Sequence, residues 1–403
     1  MATFNKSAKL QGVSYAVRGP VLEEANRLEA QGQKILKLNI GNPGVFRFEA
    51  PETLLEGLRQ NLIPAEAYSD SRGIASAREA IAAYAAKKGI AGVTPNDVYT
   101  GNGVSELISI CMQALLDPGD EILIPAPDYP LWTAASTLSG GRVVHYLCDE
   151  TSDWQPDIED MRRKISPKTK AIVVINPNNP TGALYGKEIL EQIVSLAREN
   201  GLIIFADEIY DRILMDGAEH TSIASLAPDV FCVTFNGLSK SHLVCGYRVG
   251  WMVVSGDKAP VKGFMEGVTM LSSMRLCANV PGQYAVKPAL EDLAVCDEMT
   301  RPGGRIYEQL GAVNEELSKI DGLTFVKARA AFYVFPKLDG RFNITDDERF
   351  AIDLLRAKQV LIVHGTGFNW IEPNHFRIVC LPEAPVLREA VGRIGEFLAG
   401  YRQ

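Results

Sequence analysis

The chain has 403 residues, of which 46% are hydrophobic and 22% charged, and its mean hydropathy is close to zero. This composition is typical of a globular protein large enough for two domains. The net charge of −8 argues against nucleic acid and anionic membranes as partners, because it implies no basic face. No stretch reaches the roughly 18 apolar residues that a membrane helix needs, and residues 1–10 lack the apolar core of a secretion signal.

Seven cysteines are scattered along the chain without a Cys-x-x-Cys pair, and most of them lie in apolar runs. This usage is typical of reduced core thiols in a cytoplasmic protein. The five histidines show no spacing that would form a structural zinc site. The sequence therefore predicts a cytoplasmic protein without a metal.

Apolar strands alternate with helix-forming segments through the first two thirds of the chain. This alternation predicts βαβ units and a mostly parallel, doubly wound sheet. The predicted helices cover residues 21–31, 74–88, 186–200 and 261–274. The predicted strands cover residues 34–39, 98–100, 121–125, 170–175, 202–205, 230–235 and 249–254.

From about residue 305 the pattern changes to helices mixed with short strands. Such a mixture, following a finished parallel sheet, indicates a smaller α+β domain. The predicted helices here cover residues 306–320, 348–358 and 386–401, and the predicted strands cover 324–326, 332–335, 361–363 and 376–380. The fold class is therefore predicted to be α/β, with a large, mostly parallel sheet and a smaller α+β domain.

Lys240 follows a buried strand and a glycine, and we expect it on a loop at the carboxyl end of that strand. In open α/β sheets this edge is where ligands bind. A partly desolvated lysine loses proton affinity and becomes an amine nucleophile toward carbonyls. A solvated surface lysine is the commoner explanation for any single lysine. What favours a functional role is a set of polar residues predicted at the same edge, namely Gly103, Ser105, Tyr129, Asn179, Asp207, Tyr210 and Arg248.

Residues 101–106, Gly-Asn-Gly-Val-Ser-Glu, join a short strand to a helix. This arrangement presents backbone N–H groups to a phosphate, although it also serves any tight connection of this type. Asp207 ends an apolar strand, and a buried carboxylate needs a cationic partner. The protonated pyridine nitrogen of pyridoxal phosphate is such a partner. In that case Asn179 and Tyr210 would contact the ring oxygen, Tyr129 would stack on the ring, and Lys240 would bind the cofactor covalently.

Four short motifs occur together in the chain. They are Asn179-Pro-Thr-Gly182, Asp207-x-x-Tyr210, Gly237-Leu-Ser-Lys240 and Arg248. This combination resembles the class I aminotransferases, which are pyridoxal-phosphate enzymes of fold type I, and the resemblance covers essentially the whole chain. The segments that are similar to the bacterial glutamate–pyruvate (alanine) aminotransferases in particular are 38–43, 124–132, 236–240 and 274–281.

The resemblance implies a pyridoxal 5′-phosphate enzyme whose catalytic residues are Lys240, Asp207 and Tyr210. It implies a homodimer with shared active sites, in which Tyr68 reaches the phosphate bound by the partner subunit. It also implies a large domain at residues 46–300 and a small domain from both chain ends, 1–45 plus 301–403. The remaining implied cofactor contacts are Gly103, Val104, Ser105, Tyr129, Asn179, Ser239 and Arg248.

The implied substrates are alanine and glutamate as amino donors, with 2-oxoglutarate and pyruvate as the matching 2-oxo acids. Arg377 matches the family arginine that binds the substrate α-carboxylate, and Gly41 and Asn179 match residues that approach the same carboxylate. A planar guanidinium suits this role because it clamps a carboxylate through two hydrogen bonds. For the second carboxylate of glutamate the candidate is Arg18, near Tyr15, and the second choice is Arg275 of the partner subunit.

Other functions are compatible with the same motifs. The chain could transfer amino groups of other small or branched amino acids, or it could be a lyase, because this cofactor permits different Cα bonds to break. A DNA-binding regulator built on this fold is disfavoured by the acidic charge. The positions that depart from the family pattern are Gly237 in place of a serine, His242 and Leu243 after the lysine, and Ala330 in place of a glycine.

Overall fold

The structure is a computed structural model that describes residues 3–11, 13 and 19–403. Tyr15 and Arg18, two of the predicted substrate-binding residues, lie outside the described residues. Within these described ranges, none of the helices combines the length and the apolarity needed to cross a lipid bilayer.

Strands and helices are distributed along the whole described part of the chain. The strands are β1 (Leu36–Lys37), β2 (Val98–Asn102), β3 (Glu121–Ala126), β4 (Arg142–Asp149), β5 (Gln155–Pro156), β6 (Thr169–Ile175), β7 (Ile203–Asp207), β8 (Cys232–Gly237), β9 (Val249–Ser255), β10 (Leu323–Thr324), β11 (Tyr333–Val334), β12 (Lys337–Leu338), β13 (Val360–Leu361), β14 (Val363–His364) and β15 (Phe376–Val379). The helices are α1 (Pro20–Ala30), α2 (Glu52–Gln60), α3 (Ala75–Lys87), α4 (Val104–Leu115), α5 (Leu131–Leu138), α6 (Ile158–Lys164), α7 (Lys187–Asn200), α8 (Leu238–Ser241), α9 (Lys262–Met274), α10 (Val280–Gln283), α11 (Val286–Glu291), α12 (Ala294–Thr300), α13 (Arg305–Leu317), α14 (Asp347–Lys358) and α15 (Ala384–Leu398).

The central sheet of the described chain has eight strands in the order β2-β9-β8-β7-β6-β3-β4-β5. β9 is antiparallel to both of its neighbours and β5 is antiparallel to β4, whereas the remaining strands run in one direction. The predicted α/β class with a mostly parallel sheet is therefore confirmed. The carboxyl ends of β2, β3, β6, β7 and β8 consequently meet at one edge of the sheet.

Both faces of the sheet are covered by apolar side chains, as β6 illustrates. Ala171, Val173 and Ile175 pack into the core on one face, and Ile172 and Val174 pack into the core on the other. Because successive side chains of a strand point to opposite faces, a strand buried on both sides becomes a continuous apolar run. This burial is why the strands at the centre of the sheet are readable from the sequence.

A third apolar core combines residues from the two ends of the chain. Val21, Ala25 and Leu28 of α1 belong to the same cluster as Leu310 of α13 and Leu354 of α14. β1 is parallel to β13 and extends this contact through backbone hydrogen bonds. β11, β15 and β14 form a separate small antiparallel sheet beside this core.

The structure corrects three details of the predicted elements. Lys240 lies on the single helical turn α8 rather than on a loop, because the chain turns helically directly after Gly237. The predicted strand 34–39 is reduced to β1, since only two of its residues pair with β13. β4 is absent from the predicted strands, and its residues are mostly only partly buried, which weakens the sequence pattern.

A buried ion cluster fixes the turn that follows β7. Nζ of Lys88, which follows α3, donates to Glu208 Oε2 at 2.5 Å and to Asp211 Oδ2 at 2.7 Å. Both carboxylate side chains are 2% exposed, and the lysine side chain is 13% exposed. Since Asp207 and Tyr210 each precede one of these carboxylates, Lys88 holds the turn that carries two of the predicted catalytic residues.

The substitution Lys88→Met is expected to lower the free energy of unfolding by about 3–5 kcal/mol, because it leaves two buried carboxylates without their cation. Urea denaturation measures the loss. The matched control is Lys87→Met at the neighbouring exposed lysine, which should change the free energy by less than about 0.5 kcal/mol. Equal, small losses in both variants would contradict the stabilising role of the cluster.

Candidate active site

A cavity of about 260 Å³ lies at the sheet edge where the carboxyl ends of the parallel strands meet. Most of the predicted site residues line it together. They are Gly41, Val104, Ser105, Tyr129, Asn179, Asp207, Tyr210, Ser239, Lys240, Arg248 and Arg377. Gly103 lies directly behind this lining, since a Cβ at that position would overlap the Arg248 guanidinium. Tyr68 lies outside the cavity, and 80% of its surface is exposed.

A backbone carbonyl accepts a hydrogen bond from the Lys240 amine in this cavity. Its Nζ donates to Gly41 O at 2.7 Å and lies 5.8 Å from the centre of the Phe332 ring. Gly41 is enclosed so tightly that a Cβ there would lie 2.5 Å from Tyr333 Oη. The backbone at this position therefore approaches the cavity only because residue 41 has no side chain.

Asp207 ends β7 as a buried carboxylate that is 3% exposed. Trp132 Nε1 donates to its Oδ2 at 3.1 Å, and the Ile209 amide donates to its Oδ1 at 3.4 Å. Burial raises the pKa of Asp207 to about 6, and these two hydrogen bonds and the charge of Lys240 only partly oppose that rise. The carboxylate thus lacks full compensation from the protein, so that a cation placed beside it would be bound favourably.

Tyr210 contributes a buried hydroxyl to the same cavity. Its Oη forms a hydrogen bond with Tyr333 Oη, and both tyrosines are buried. Burial and the neighbouring Tyr333 raise the pKa of Tyr210 well above its ordinary value. Tyr210 therefore remains a protonated hydrogen-bond donor in the neutral pH range.

Arg377 is a buried guanidinium between two aromatic rings. Its centre lies 4.6 Å from the Tyr333 ring and 4.6 Å from the Phe368 ring. Nη1 donates to Asn179 Oδ1 at 2.9 Å, and Nη2 donates to Asn39 O at 2.5 Å. Stacking and hydrogen bonds together fix the plane of the guanidinium, which is the geometry that clamps a carboxylate.

Another part of the cavity lining has the features of an anion site. The residue before α4 is Gly103, which has a φ of 82° and provides no side-chain cap, so the first N–H groups of the helix lack a side-chain acceptor. A Cβ at Gly250 would overlap the Val104 amide nitrogen, so close packing against β9 also requires a glycine. Arg248 adds a guanidinium whose Nη1 donates to Cys245 O at 2.7 Å.

The positions that depart from the family pattern have structural explanations. A Cβ at Gly237 would lie 2.6 Å from Val249 O, so this backbone leaves no room for a serine. His242 is buried, and its Nδ1 lies 2.9 Å from Ser241 Oγ while its Nε2 lies 3.2 Å from Asp292 O. Leu243 packs into the core shared by the chain ends. The backbone of Ala330 does not adopt the left-handed conformation. The residue of that turn that does adopt it is Ala331, with a φ of 57°.

Several residues of the site are missing from the predicted set. Ile40, Ile175, Ile209, Cys245 and Tyr333 line the cavity without having been predicted to do so. Tyr333 lies in a predicted strand but in no motif, so that only its contacts reveal its place. Trp132 belongs to the aromatic segment after β3, but its hydrogen bond to the residue at the end of β7 depends on the strand order.

These residues fit pyridoxal phosphate. The incompletely compensated carboxylate of Asp207 suits a protonated ring nitrogen, and the uncapped start of α4 with Arg248 suits a phosphate. Lys240 lines the same cavity, where an amine can bond to an aldehyde carbon.

Comparisons with known proteins agree with this geometry. A family model described as aminotransferase class I and II matches residues 33–394. The chain is 57% identical to the glutamate-pyruvate aminotransferase of Haemophilus influenzae, with complete coverage of both chains. It is similar to the solved structure of an aminotransferase from Escherichia coli, with a TM-score of 0.98, 55% identity and complete coverage of both chains. It is also similar to an alanine aminotransferase from Pyrococcus furiosus, with a TM-score of 0.93 and 39% identity over 98% of this chain and 100% of that chain.

The predicted family and the predicted cofactor are thereby confirmed. The family match spans most of the chain, and the similarity to the bacterial enzymes extends over its full length. The chain therefore belongs to the class I and II aminotransferases, which transfer amino groups with pyridoxal 5′-phosphate as cofactor.

Proposed function

We propose that this aminotransferase moves an amino group from alanine to 2-oxoglutarate, forming pyruvate and glutamate, and that it also catalyses the reverse transfer. The observation that carries this proposal is the 57% identity, over the full length of both chains, to a protein named glutamate-pyruvate aminotransferase. The small cavity, with one buried guanidinium, agrees with substrates that share an α-carboxylate and enter in turn.

In this proposal the two ends of the cavity hold the cofactor. Asp207 pairs with its ring nitrogen, and Tyr210 and Asn179 contact its ring oxygen. The residues assigned to the rest of the cofactor are Tyr129 at the ring face, and Gly103, Val104, Ser105, Ser239 and Arg248 at the phosphate. When bound, pyridoxal phosphate withdraws electron density from the substrate Cα, so that the Cα proton becomes acidic.

Lys240 has two roles in this scheme. It would carry the cofactor covalently until the substrate amine displaces it, and the freed amine would then move the proton from the substrate Cα to the C4′ carbon of the cofactor, as general base and then general acid. The Gly41 carbonyl, 2.7 Å from Nζ, orients the amine at the sheet edge. Arg377 binds the α-carboxylate through its fixed plane, with Asn179 and Gly41 beside it.

The distal carboxylate of glutamate requires a second cation. Arg275 is already held in this chain, since its Nη2 donates to Thr100 O at 2.7 Å and its Nη1 pairs with Glu106 Oε2 at 3.2 Å. We therefore retain Arg18 as the candidate, together with Tyr15, three residues before it in the sequence.

We further propose a homodimer in which Tyr68 reaches the phosphate of the partner subunit. The supporting observation is a group of exposed apolar side chains near this tyrosine, because large exposed apolar groups mark interaction sites. Ser273 Oγ of α9 donates to Ser71 Oγ at 3.3 Å, which brings the end of α9 to the Tyr68 segment. The exposed side chains are Met270 (64%), Met274 (74%) and Leu276 (53%). Sedimentation of the purified chain as a monomer would contradict this assembly.

The domain division proposed for this enzyme is residues 46–300 for the large domain and 1–45 plus 301–403 for the small domain. The core that joins α1 to α13 and α14 supports this division.

We propose a cytoplasmic location because all seven cysteines are free thiols and five of them are buried.

A panel of amino donors and 2-oxo acids tests the proposed reaction. We expect alanine with 2-oxoglutarate, and glutamate with pyruvate, to turn over fastest.

The substitution Lys240→Ala should abolish turnover and covalent attachment of the cofactor, measured by borohydride reduction and peptide mass spectrometry. The control Lys287→Ala, at an exposed lysine, should retain both. In the same panel Arg18→Ala should slow glutamate but not alanine. Preference for another donor, or attachment at another lysine, would contradict the proposal.

Arg377→Lys is expected to raise KM for alanine roughly 10- to 100-fold, because a lysine loses the planar, two-point contact with the carboxylate. Arg248→Lys serves as the matched control at the other end of the cavity. It should raise the dissociation constant of the cofactor roughly 10-fold, yet leave KM at saturating cofactor within about twofold. Steady-state kinetics and cofactor titration measure the two effects. An unchanged KM in Arg377→Lys would contradict the assigned carboxylate site.

A further inference from the structure

Tyr333 is a cavity residue that contacts two of the assigned groups, Tyr210 and Arg377. It belongs to β11, which pairs with β15, the strand of Arg377. It is 2% exposed, so that the contacts of its hydroxyl are made away from bulk water. The hydroxyl meets Tyr210 Oη, and its ring stacks on the Arg377 guanidinium.

The hydrogen bond between the two tyrosines has a direction when the cofactor contact of Tyr210 is considered. A tyrosine hydroxyl carries one hydrogen and can accept through its lone pairs. If Tyr210 gives its hydrogen to the ring oxygen of the cofactor, the hydrogen between the two phenols must come from Tyr333. The donated bond makes the Tyr210 hydroxyl a stronger donor, because hydrogen bonds in a chain polarise one another.

We propose that Tyr333 is a positioning residue that donates to Tyr210 and at the same time fixes the plane of Arg377, so that one side chain aligns the cofactor contact and the substrate clamp. This inference rests on the proposed role of Tyr210 as the donor to the cofactor's ring oxygen. The two functions of Tyr333 are carried by different atoms, the hydroxyl for Tyr210 and the ring for Arg377. They can therefore be separated by substitution.

Gly41 provides the space that this arrangement needs. A Cβ at Gly41 would lie 2.5 Å from Tyr333 Oη and 3.0 Å from Phe332 Cε2. The carbonyl of the same glycine accepts the hydrogen bond of Lys240. Tyr333 thus contacts Tyr210 and Arg377, and it lies beside the glycine whose carbonyl binds Lys240. Its hydroxyl has room only because residue 41 is a glycine.

The test is the pH titration of the absorbance of the bound cofactor in the holoenzyme. Tyr333→Phe removes only the hydroxyl, which weakens Tyr210 as a donor and destabilises negative charge on the ring oxygen. We expect the midpoint pH of this absorbance titration to rise by about half to one pH unit relative to the wild type. KM for alanine should stay within about twofold of the wild-type value. Tyr333→Leu also removes the ring, and should in addition raise KM about 3- to 30-fold.

Two controls separate the possible failures. In a Tyr210→Phe background, Tyr333→Phe should produce no further shift of the midpoint, because its effect passes through Tyr210. Tyr146→Phe removes a buried hydroxyl that donates to Val173 O at 2.8 Å, outside the cavity, and should leave the midpoint unchanged.

The outcomes distinguish this inference from the function on which it rests. If Tyr210→Phe itself does not move the midpoint, the proposed role of Tyr210 is wrong. If Tyr210→Phe moves it but Tyr333→Phe does not, or if Tyr333→Phe shifts it equally in both backgrounds, only the role of Tyr333 is overturned.

Discussion

The site depends on a carboxylate that is buried at the end of a strand. Asp207 receives one hydrogen bond from the Trp132 indole and one from a backbone amide, and burial still raises its pKa to about 6. Such a group resists ionisation unless a cation lies beside it. In the proposed function, the protonated ring nitrogen of pyridoxal phosphate would provide that cation, so that the protein and its cofactor would each stabilise the charge that the other needs.

The surrounding structure holds this carboxylate and its neighbours in place. Lys88 pairs with two further buried carboxylates on the turn that carries Asp207 and Tyr210. From Tyr210, contacts continue through Tyr333 to Arg377, which lies on the small antiparallel sheet near the chain's carboxyl end. Direct side-chain contacts therefore connect the residues proposed to bind the cofactor with the residue proposed to bind the substrate. The same contacts join segments that are distant in sequence.

Several parts of this arrangement could be predicted from the sequence. β6 and β7 are continuous apolar runs because both faces of the sheet are buried, and the ends of parallel strands share one edge. Residues at or shortly after the carboxyl ends of such strands, including Asp207 and Asn179, could thus be placed together from the sequence. The role proposed for Arg377 rests on the family resemblance, since a residue on a short strand gives no pattern of its own.

Other parts depend on tertiary contacts that leave no local signal. Tyr333 meets Tyr210 across a separation of 123 residues, and neither strand pattern nor motif indicates that contact. β4 is mostly only partly buried, so its pattern is weak, and α8 is a single turn whose helical shape is set by packing after Gly237. The exposed Tyr68 lies outside the cavity of its own chain, and its place in the site is tied to the proposed dimer.

The most direct test of the role of Asp207 is the pH dependence of unfolding in the cofactor-free protein, compared with Asp207→Asn. The pKa of Asp207 is about 6 in the folded protein against an ordinary value of 3.8, so its contribution to stability is complete below pH 3.8 and is lost as the pH rises through 6. Relative to the asparagine variant, the wild type should therefore lose about 2 kcal/mol between pH 4 and pH 7. Saturating pyridoxal phosphate should restore more stability to the wild type than to the variant. A difference between the two proteins that stays constant with pH would contradict this account.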